Sequence, residues 1–354
     1  MIFDSLQMIE LRNKYQGLPN YEVPDVVFLD RFDDYVGERL YLEELFSKVS
    51  TSKQKDWIGR FVNIDSQQHI GVWFEIMLYG WLSEHFEVVV EPEILGNYPD
   101  FGLNILEQHL AIEARAFLVP PEERERMRKL NRIMSAIGSI QKPFSVSLKI
   151  TQLGETIEID EFVRVVGHWL DTAANQNLDY EDGWGNILQL SATARQTLKK
   201  VGVIHSEGLR VNPDVLKTPL SKKAAQHKAL RKSGYPYFIA VFLEPWHLSA
   251  EEVCEAWIGK TTIAYNIEID KVVEEKFDES GIRFFGKEIV HKSVTGILVF
   301  KTGFDAERKS RYLQSWYVQN PHATTIIDPK IFPVDSRFVV VGQDDKMFEM
   351  KWVK

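Results

Sequence analysis

The chain has 354 residues and a net charge of −9, with 44% of residues hydrophobic and 26% charged, a composition ordinary for about two globular domains or one core with large additions. Its single cysteine, Cys254, excludes an internal disulfide framework and any cysteine-rich metal site, and the acidic balance argues against a protein that coats nucleic acid non-specifically. No run is long enough to cross a bilayer and Met1 to Tyr15 is too acidic and polar for a signal peptide, so the cytoplasm is the expected compartment.

Residues 1–62 read as a helical lead-in. Beyond Pro24, the spans Asp30–Ser50 and Ser52–Phe61 carry apolar residues at helical spacing, among them Tyr41, Leu42, Leu45 and Phe46. Asp65 and Ser66 then supply an N-cap, and Ile70, Phe74, Met77, Leu78, Trp81 and Leu82 fall on one side of the helix that follows, with Glu75 at its edge. Phe86–Ile94 is a β-rich run interrupted by Pro92. Gly96 and Asn97 turn the chain, and Pro99-Asp100-Phe101 opens a second strand. Glu107 and Gln108 reverse it, and Leu110–Phe117 returns as a third strand. Strands joined by a short turn are antiparallel neighbours, so Asp100, near the start of one, and Glu113, near the end of the next, can face each other across the pair. Two carboxylates so close repel, and a site that keeps both ionised characteristically holds a hard divalent cation. Glu75 can add a third oxygen ligand, directly or through water.

Pro120-Pro121 stops the third strand. Glu122–Ile140 is a charged helix with acids leading (Glu122, Glu123) and bases following (Arg124, Arg126, Arg128, Lys129, Arg132), the order that the helix dipole favours. Those bases read as a solvated face, with phosphate contact by some of the arginines as the alternative. Phe144–Thr151, Ile187–Ala192 and Val201–His205 read as strands and Ile159–Ala174 as an amphipathic helix, which makes residues from about 118 to 218 an α/β insertion. A basic helix follows, capped by Ser221 and ended at Ser233-Gly234, and then a buried-type strand, Tyr237–Leu243. Lys222, Ala225, Gln226 and Ala229 share one side of that helix. The small alanines allow a close approach to the sheet that brings Lys222 and Gln226 towards the carboxylates, while Lys223, Lys228, Arg231 and Lys232 spread around the remainder. Further on come a helix at Ala250–Ile258, strands at Val294–Lys301 and Thr324–Ile327, and a closing hairpin of Arg337–Val341 with Met347–Val353.

Pro99-Asp100, twelve intervening residues and Glu113-Ala114-Arg115 resemble the PD-(D/E)xK signature of restriction-endonuclease-like nucleases, and the helix-borne Glu75 matches that superfamily's pattern. The departure is Arg115, where the family usually has lysine. The helix and strand up to Leu243 resemble the second helix and fourth strand of the same core. Some members carry the catalytic lysine on that helix, and Lys222 with Gln226 beside Arg115 fits such a migration. The resemblance spans about Trp57–Pro333, weakly in the insertion. The Ala256-Trp257-Ile258-Gly259 helix end and the Asn320-Pro321-His322-Ala323 turn are similar to uncharacterised bacterial proteins built on this core.

The resemblance implies an α/β (α+β) fold in which a mixed central sheet is flanked by helices in the order αβββαβ. The core would occupy residues 63–245, including the insertion, followed by a C-terminal α/β extension over 246–354 that ends in a hairpin. It implies a Mg2+- (or Mn2+-) dependent nuclease that hydrolyses phosphodiester bonds, in DNA rather than RNA, as an endonuclease. Asp100, Glu113, the Ala114 carbonyl and Glu75 would hold the metal, and Lys222 or Arg115, with Gln226, would stabilise the transition state. Lys223, Lys228, Arg231 and Lys232 would touch nucleic acid, and a homodimer is compatible with cutting two strands. Arg115 and the acidic net charge favour the competing expectation, a catalytically degenerate core that binds nucleic acid or protein. Other chemistries lack their motifs. Gly259-Lys260-Thr261 has no first P-loop glycine, no GxSxG occurs, and the nine histidines show no zinc-ligand spacing.

Overall fold

A computed structural model of the chain describes residues 1–18, 23–105, 108–118, 121–172, 175–195, 201–205, 214–244, 248–259, 261–266, 271–277, 281–282, 284–285, 288–343 and 348–354. They fall into two compact units: Met1–Leu18, Val23–Leu118 and Arg210–Lys354 belong to one, and the other is built on Val119–Leu209.

The larger unit opens with α1 (Leu6–Lys14), α2 (Asp25–Arg31), α3 (Val36–Ser47) and α4 (Thr51–Phe61). α1 precedes the helical pattern read after Pro24, and extended backbone at Phe32 divides the single helix expected over Asp30–Ser50. α5 (Ser66–Ser83) begins where the Asp65 side chain accepts the Gln67 N–H. Val72, Trp73, Phe74, Ile76, Leu78 and Leu82 are all buried, so this helix is enclosed on more than the one side that its wheel suggests. β1 (Glu87–Val90), β2 (Phe101–Ile105) and β3 (Gln108–Phe117) then form an antiparallel meander. The reversal expected at Glu107 lies outside the described residues.

In the smaller unit α6 (Pro121–Gly138), β4 (Phe144–Gln152), α7 (Ile159–Thr172), β5 (Leu178–Glu181), β6 (Ile187–Ala194) and β7 (Gly202–His205) build a four-stranded sheet in the order β5-β6-β4-β7. Ile133, Ile137, Val146, Leu148, Phe162, Val166, Leu188 and Leu190 give it a core of its own.

The chain re-enters the larger unit as α8 (Asp214–Ala225) and α9 (Lys228–Ser233), followed by β8 (Tyr237–Leu243) and α10 (Ala250–Ile258). β9 (Thr261–Asn266) pairs with β10 (Lys271–Phe277), and β11 (Phe284–Phe285) with β12 (Glu288–Ile289). β13 (Gly296–Asp305), β14 (Ser310–Gln319), β15 (Ser336–Gln343) and β16 (Phe348–Val353) complete an eight-stranded mixed sheet, ordered β1-β2-β3-β8-β13-β14-β15-β16. β8 runs parallel to both β3 and β13, and all seven of its residues are buried, as a strand covered on both faces requires. The residues after 246 therefore continue the sheet through β8 into β13. The strand expected at Thr324–Ile327 is absent: these residues follow a turn in which Asn320 Nδ2 donates to the Val294 and His291 carbonyls.

Side-chain alternation divides this sheet between two layers. Phe101, Leu103, Leu110, Ile112, Phe238, Ala240, Phe242, Leu298 and Phe300 pack with α2 to α5 on one face. Ala111, Phe117, Ile239, Val241, Leu243, Ile297 and Val299 meet Leu216, Leu220 and Ala224 of α8 and Val253, Cys254 and Trp257 of α10 on the other.

A buried ion pair ties the first layer to the far half of the sheet. Glu38, fully buried in the first turn of α3, accepts from Arg311 Nε (2.9 Å) and Nη2 (2.6 Å), from the Arg311 backbone N–H (3.1 Å) and from Trp73 Nε1 (2.8 Å). The guanidinium also lies 4.4 Å from the centroid of the Trp73 ring. Next to it, the α-carbon of Gly37 lies so close to the β13–β14 hairpin that a Cβ would fall 1.8 Å from the Arg308 carbonyl oxygen. Removing one partner of a buried pair strands the other charge, so Glu38→Ala should lose about 3–5 kcal/mol in chemical denaturation, and Glu38→Leu with Arg311→Met should lose less than either single change. A Glu38→Ala loss of under ~1 kcal/mol would refute this account.

Candidate functional site

The register of β2 and β3 sets the site. Phe101 lies opposite Ile112, so the next position outward puts Asp100 opposite Glu113. Phe101 and Ile112 point into the first layer, and Asp100 and Glu113 therefore project from the other face, towards α8. Asp100 Oδ2 accepts the Ala114 N–H at 2.7 Å, which locks its carboxyl onto β3. The N–H and C=O of one strand residue point to the same edge, so the Ala114 carbonyl also faces the Asp100 side.

Glu113 is buried and both of its oxygens are engaged by α8 and the residue just before α9. Lys223 Nζ donates to Oε1 at 2.6 Å, and His227 Nε2 lies 2.9 Å from Oε2. Leu216, Leu220 and Ala224 pack α8 on the sheet, and this apolar side fixes which neighbours turn inward. It turns Lys223 to Glu113 and leaves Lys222 and Gln226 exposed, which corrects the expectation that those two reach the carboxylates. The helix also starts seven residues before the expected cap at Ser221 and carries Pro219 inside it. It ends at Ala225, and His227, whose backbone is left-handed (φ 49°, ψ 55°), immediately precedes α9. Such a conformation is uncommon for any residue with a Cβ. It turns the imidazole back to the carboxylate, where the ring stands edge-on to Tyr237, whose hydroxyl donates to the Lys223 carbonyl.

Glu75 approaches from the opposite layer, and its oxygens are taken by protein donors. Arg60 Nη1 and Nη2 each donate at 2.7 Å and Trp57 Nε1 at 3.1 Å, with Lys53 Nζ 3.8 Å away. Glu75, expected as a metal ligand directly or through water, thus stands half-buried with both oxygens on protein donors. Lys53 also pairs with Glu91 (2.6 Å) and Asp56 (3.3 Å), and the Glu91 N–H donates to the Asp100 carbonyl. Arg115, two residues along β3 from Glu113, is exposed. Of the residues expected on nucleic acid, Lys223 belongs to the site itself and Lys232 is exposed; the side chains of Lys228 and Arg231 lie outside the described residues.

Burial, and then the negative charge of Glu113, push the Asp100 carboxyl up to about 7; Glu75 adds to the rise, while Lys223 and the Ala114 N–H oppose it. Five carboxylates (Asp56, Glu75, Glu91, Asp100, Glu113) thus share this neighbourhood with three permanent cations (Lys53, Arg60, Lys223). Among the described residues no three His, Cys, Asp or Glu side chains converge as a ready-made metal cage. The arrangement has more carboxylates than cations, one glutamate with both oxygens engaged, and one aspartate whose pKa is pushed up to about 7.

An acid whose pKa is higher folded than unfolded costs stability once it ionises. For Asp100 that cost is absent below about pH 4, grows towards pH 7 and is complete above it. Asp100→Asn keeps an acceptor for the Ala114 N–H and removes the charge, so it should stabilise the protein by roughly 1–3 kcal/mol at pH 8, discounted for partial solvation, with the gain vanishing near pH 4. Thermal melts across that range check the sign, and a variant less stable than wild type at pH 8 would exclude it.

No helix among the described residues is long and apolar enough to cross a membrane. In comparisons with known proteins, no family model, no curated sequence and no solved structure matches the chain.

Proposed function

We propose that the chain is a divalent-metal-dependent nuclease, hydrolysing phosphodiester bonds in DNA, with Asp100, Glu113 and Lys223 at its centre. The observation that carries this reading is the carboxylate pair Asp100/Glu113 on one face of β2 and β3, with Lys223 Nζ 2.6 Å from Glu113. Two further features support it. The order α5, β1, β2, β3, α8, β8, with β8 parallel to β3, is the order expected of a restriction-endonuclease-like core. The carboxylate excess around Asp100 is of the sign that an added divalent cation relieves.

Asp100, Glu113 and the Ala114 carbonyl would hold the ion. Its chemistry there would be to neutralise charge on the scissile phosphate and acidify an attacking water. Lys223 then serves as the cationic stabiliser, in the role expected of Lys222 or Arg115, because its ammonium, held on Glu113 Oε1, has further donors for a phosphate oxygen. Arg115 cannot take a proton from water, since a guanidinium stays charged above pH ~12. Glu75, clamped by Arg60 and Trp57, holds α4 against α5 and adds negative potential at Asp100.

One observation favours the second reading, a degenerate core that only binds. With Lys223 and His227 on its two oxygens, Glu113 is satisfied without a metal. Cleavage assays with Mg2+ or Mn2+ separate the two. Asp100→Asn and Glu113→Gln should abolish cleavage with circular dichroism unchanged. Lys223→Met should lower the rate by ~10²–10³-fold, the usual loss for one electrostatic donor, and Lys222→Met should leave it near wild type. Nucleic-acid retention indifferent to chelator, with no cleavage by wild type, would establish the binding-only core.

A further inference from the structure

We infer that a cavity between α2, α5 and the sheet is a binding site for a neutral nucleobase, read by His69, Arg311 and Asp25. The cavity lies in the layer of α2 to α5, whereas Asp100 and Glu113 face the other layer, so binding there does not depend on the proposed metal site. It encloses about 190 Å³ and is walled by Phe28, Tyr35, Trp73 and Phe242. An apolar cavity of roughly 150 Å³ accepts a benzene ring, so one planar heterocycle fits. Phe242 and Glu244 mark the carboxyl end of β8, and Thr302 lies two residues beyond Phe300, the last β13 residue paired with β8. β3 is parallel to β8 as well, and ligands of parallel strands gather at their carboxyl ends.

Two polar groups on this cavity define the chemistry of its ligand. His69 is only 2% exposed, and its Nδ1 lies 2.7 Å from the Phe61 carbonyl oxygen. A carbonyl can only accept, so Nδ1 carries the hydrogen. Burial pushes the pKa of the ring down and keeps it neutral, which leaves Nε2 a bare lone pair. Among the described residues no donor meets it. Phe61 accounts for Nδ1, but nothing in the fold accounts for a buried acceptor at Nε2. Arg311 gives Nε and Nη2 to Glu38, and its Nη1 has no acceptor among the described residues. Asp25, exposed at the border of the cavity, acts on the charge of both groups. A ligand that satisfies this set offers N–H to His69 or Asp25 and a carbonyl or ring nitrogen to Arg311. Glu38 already answers the guanidinium charge, so no anion is required. The guanidinium, 4.4 Å from the Trp73 centroid and 5.5 Å from that of Tyr35, disfavours a second cation. A neutral planar ring with donors and acceptors on its edge, seated among aromatic walls, is the chemistry of a nucleobase.

The test titrates the full chain, with chelator present, first with guanosine, adenosine, cytidine and thymidine separately and then with single-stranded oligonucleotides of the same bases. At least one nucleoside or oligonucleotide should bind saturably. His69→Phe keeps a ring and removes the lone pair, and should weaken binding by ~10-fold, the worth of one hydrogen bond. Thr302→Phe fills the cavity from the sheet and should abolish binding. Uptake of nucleosides with this dependence supports the site and makes a free nucleoside or nucleotide its ligand. Uptake of oligonucleotides alone, with the same dependence, supports it for a base turned out of a strand. No saturable binding of either probe, or binding that both variants leave unchanged, would overturn the inference and leave the nuclease reading, which uses none of these residues, as it stands. Should His69→Phe fail to fold, Thr302→Phe and the exposed Asp25→Ala decide, the latter by a several-fold loss.

Discussion

The antiparallel register of β2 and β3 is the constraint on which the candidate site depends. A side-chain period of two means that a slip of one residue would send Glu113 into the layer of Trp73 and Phe74 and would expose Ile112. Phe101, Leu103, Leu110 and Ile112 resist that slip, because they are buried together beneath α5. The apolar face thus holds in place the polar residues on the other side. The carboxylates share a face because the hydrophobic residues between them fix the register.

Much of this was legible in the sequence. The capped α5, the meander and the facing of Asp100 and Glu113 follow from periodicity, turn residues and the antiparallel rule, each of them local. The inward residues of α8 were not legible. Ala225 and Ala229 suggested one side, whereas Leu216, Leu220 and Ala224, partly upstream of the expected helix start, define the buried one. Moving the start to Asp214 rotates the reading by one residue and exchanges Lys222 for Lys223. His227 carried no periodic signal, since it lies where the period breaks. β14 could have been found from the alternation of Leu313, Ser315 and Tyr317 with Tyr312, Gln314 and Trp316, directly after β13 across a short turn.

The larger unit uses buried charge in two different ways, and the contrast bears on function. Glu38 has its negative charge answered by Arg311, and further donors come from Trp73 and the Arg311 backbone. That pattern is structural: it joins α3 to β14, and every donor has an evident place in the fold. Asp100 has one backbone N–H, and burial, then its nearest carboxylates, push its pKa upward. A carboxyl with only a structural duty at this position would do better as asparagine, which accepts the same N–H without repulsion.

That imbalance makes the stability of the larger unit depend on pH through Asp100. Strongly shifted acids that combine burial with specific charged neighbours concentrate where chemistry occurs, because a site tuned for an incoming ion must be uncomfortable without it. Lys223 and His227 hold both Glu113 oxygens in place, while burial and the neighbouring charge leave Asp100 with a raised affinity for a proton. On the proposed reading a proton and a divalent ion would compete for the charge at Asp100. Arg60 pairs with Glu75 without cancelling all of its charge, and the remainder adds to the rise at Asp100.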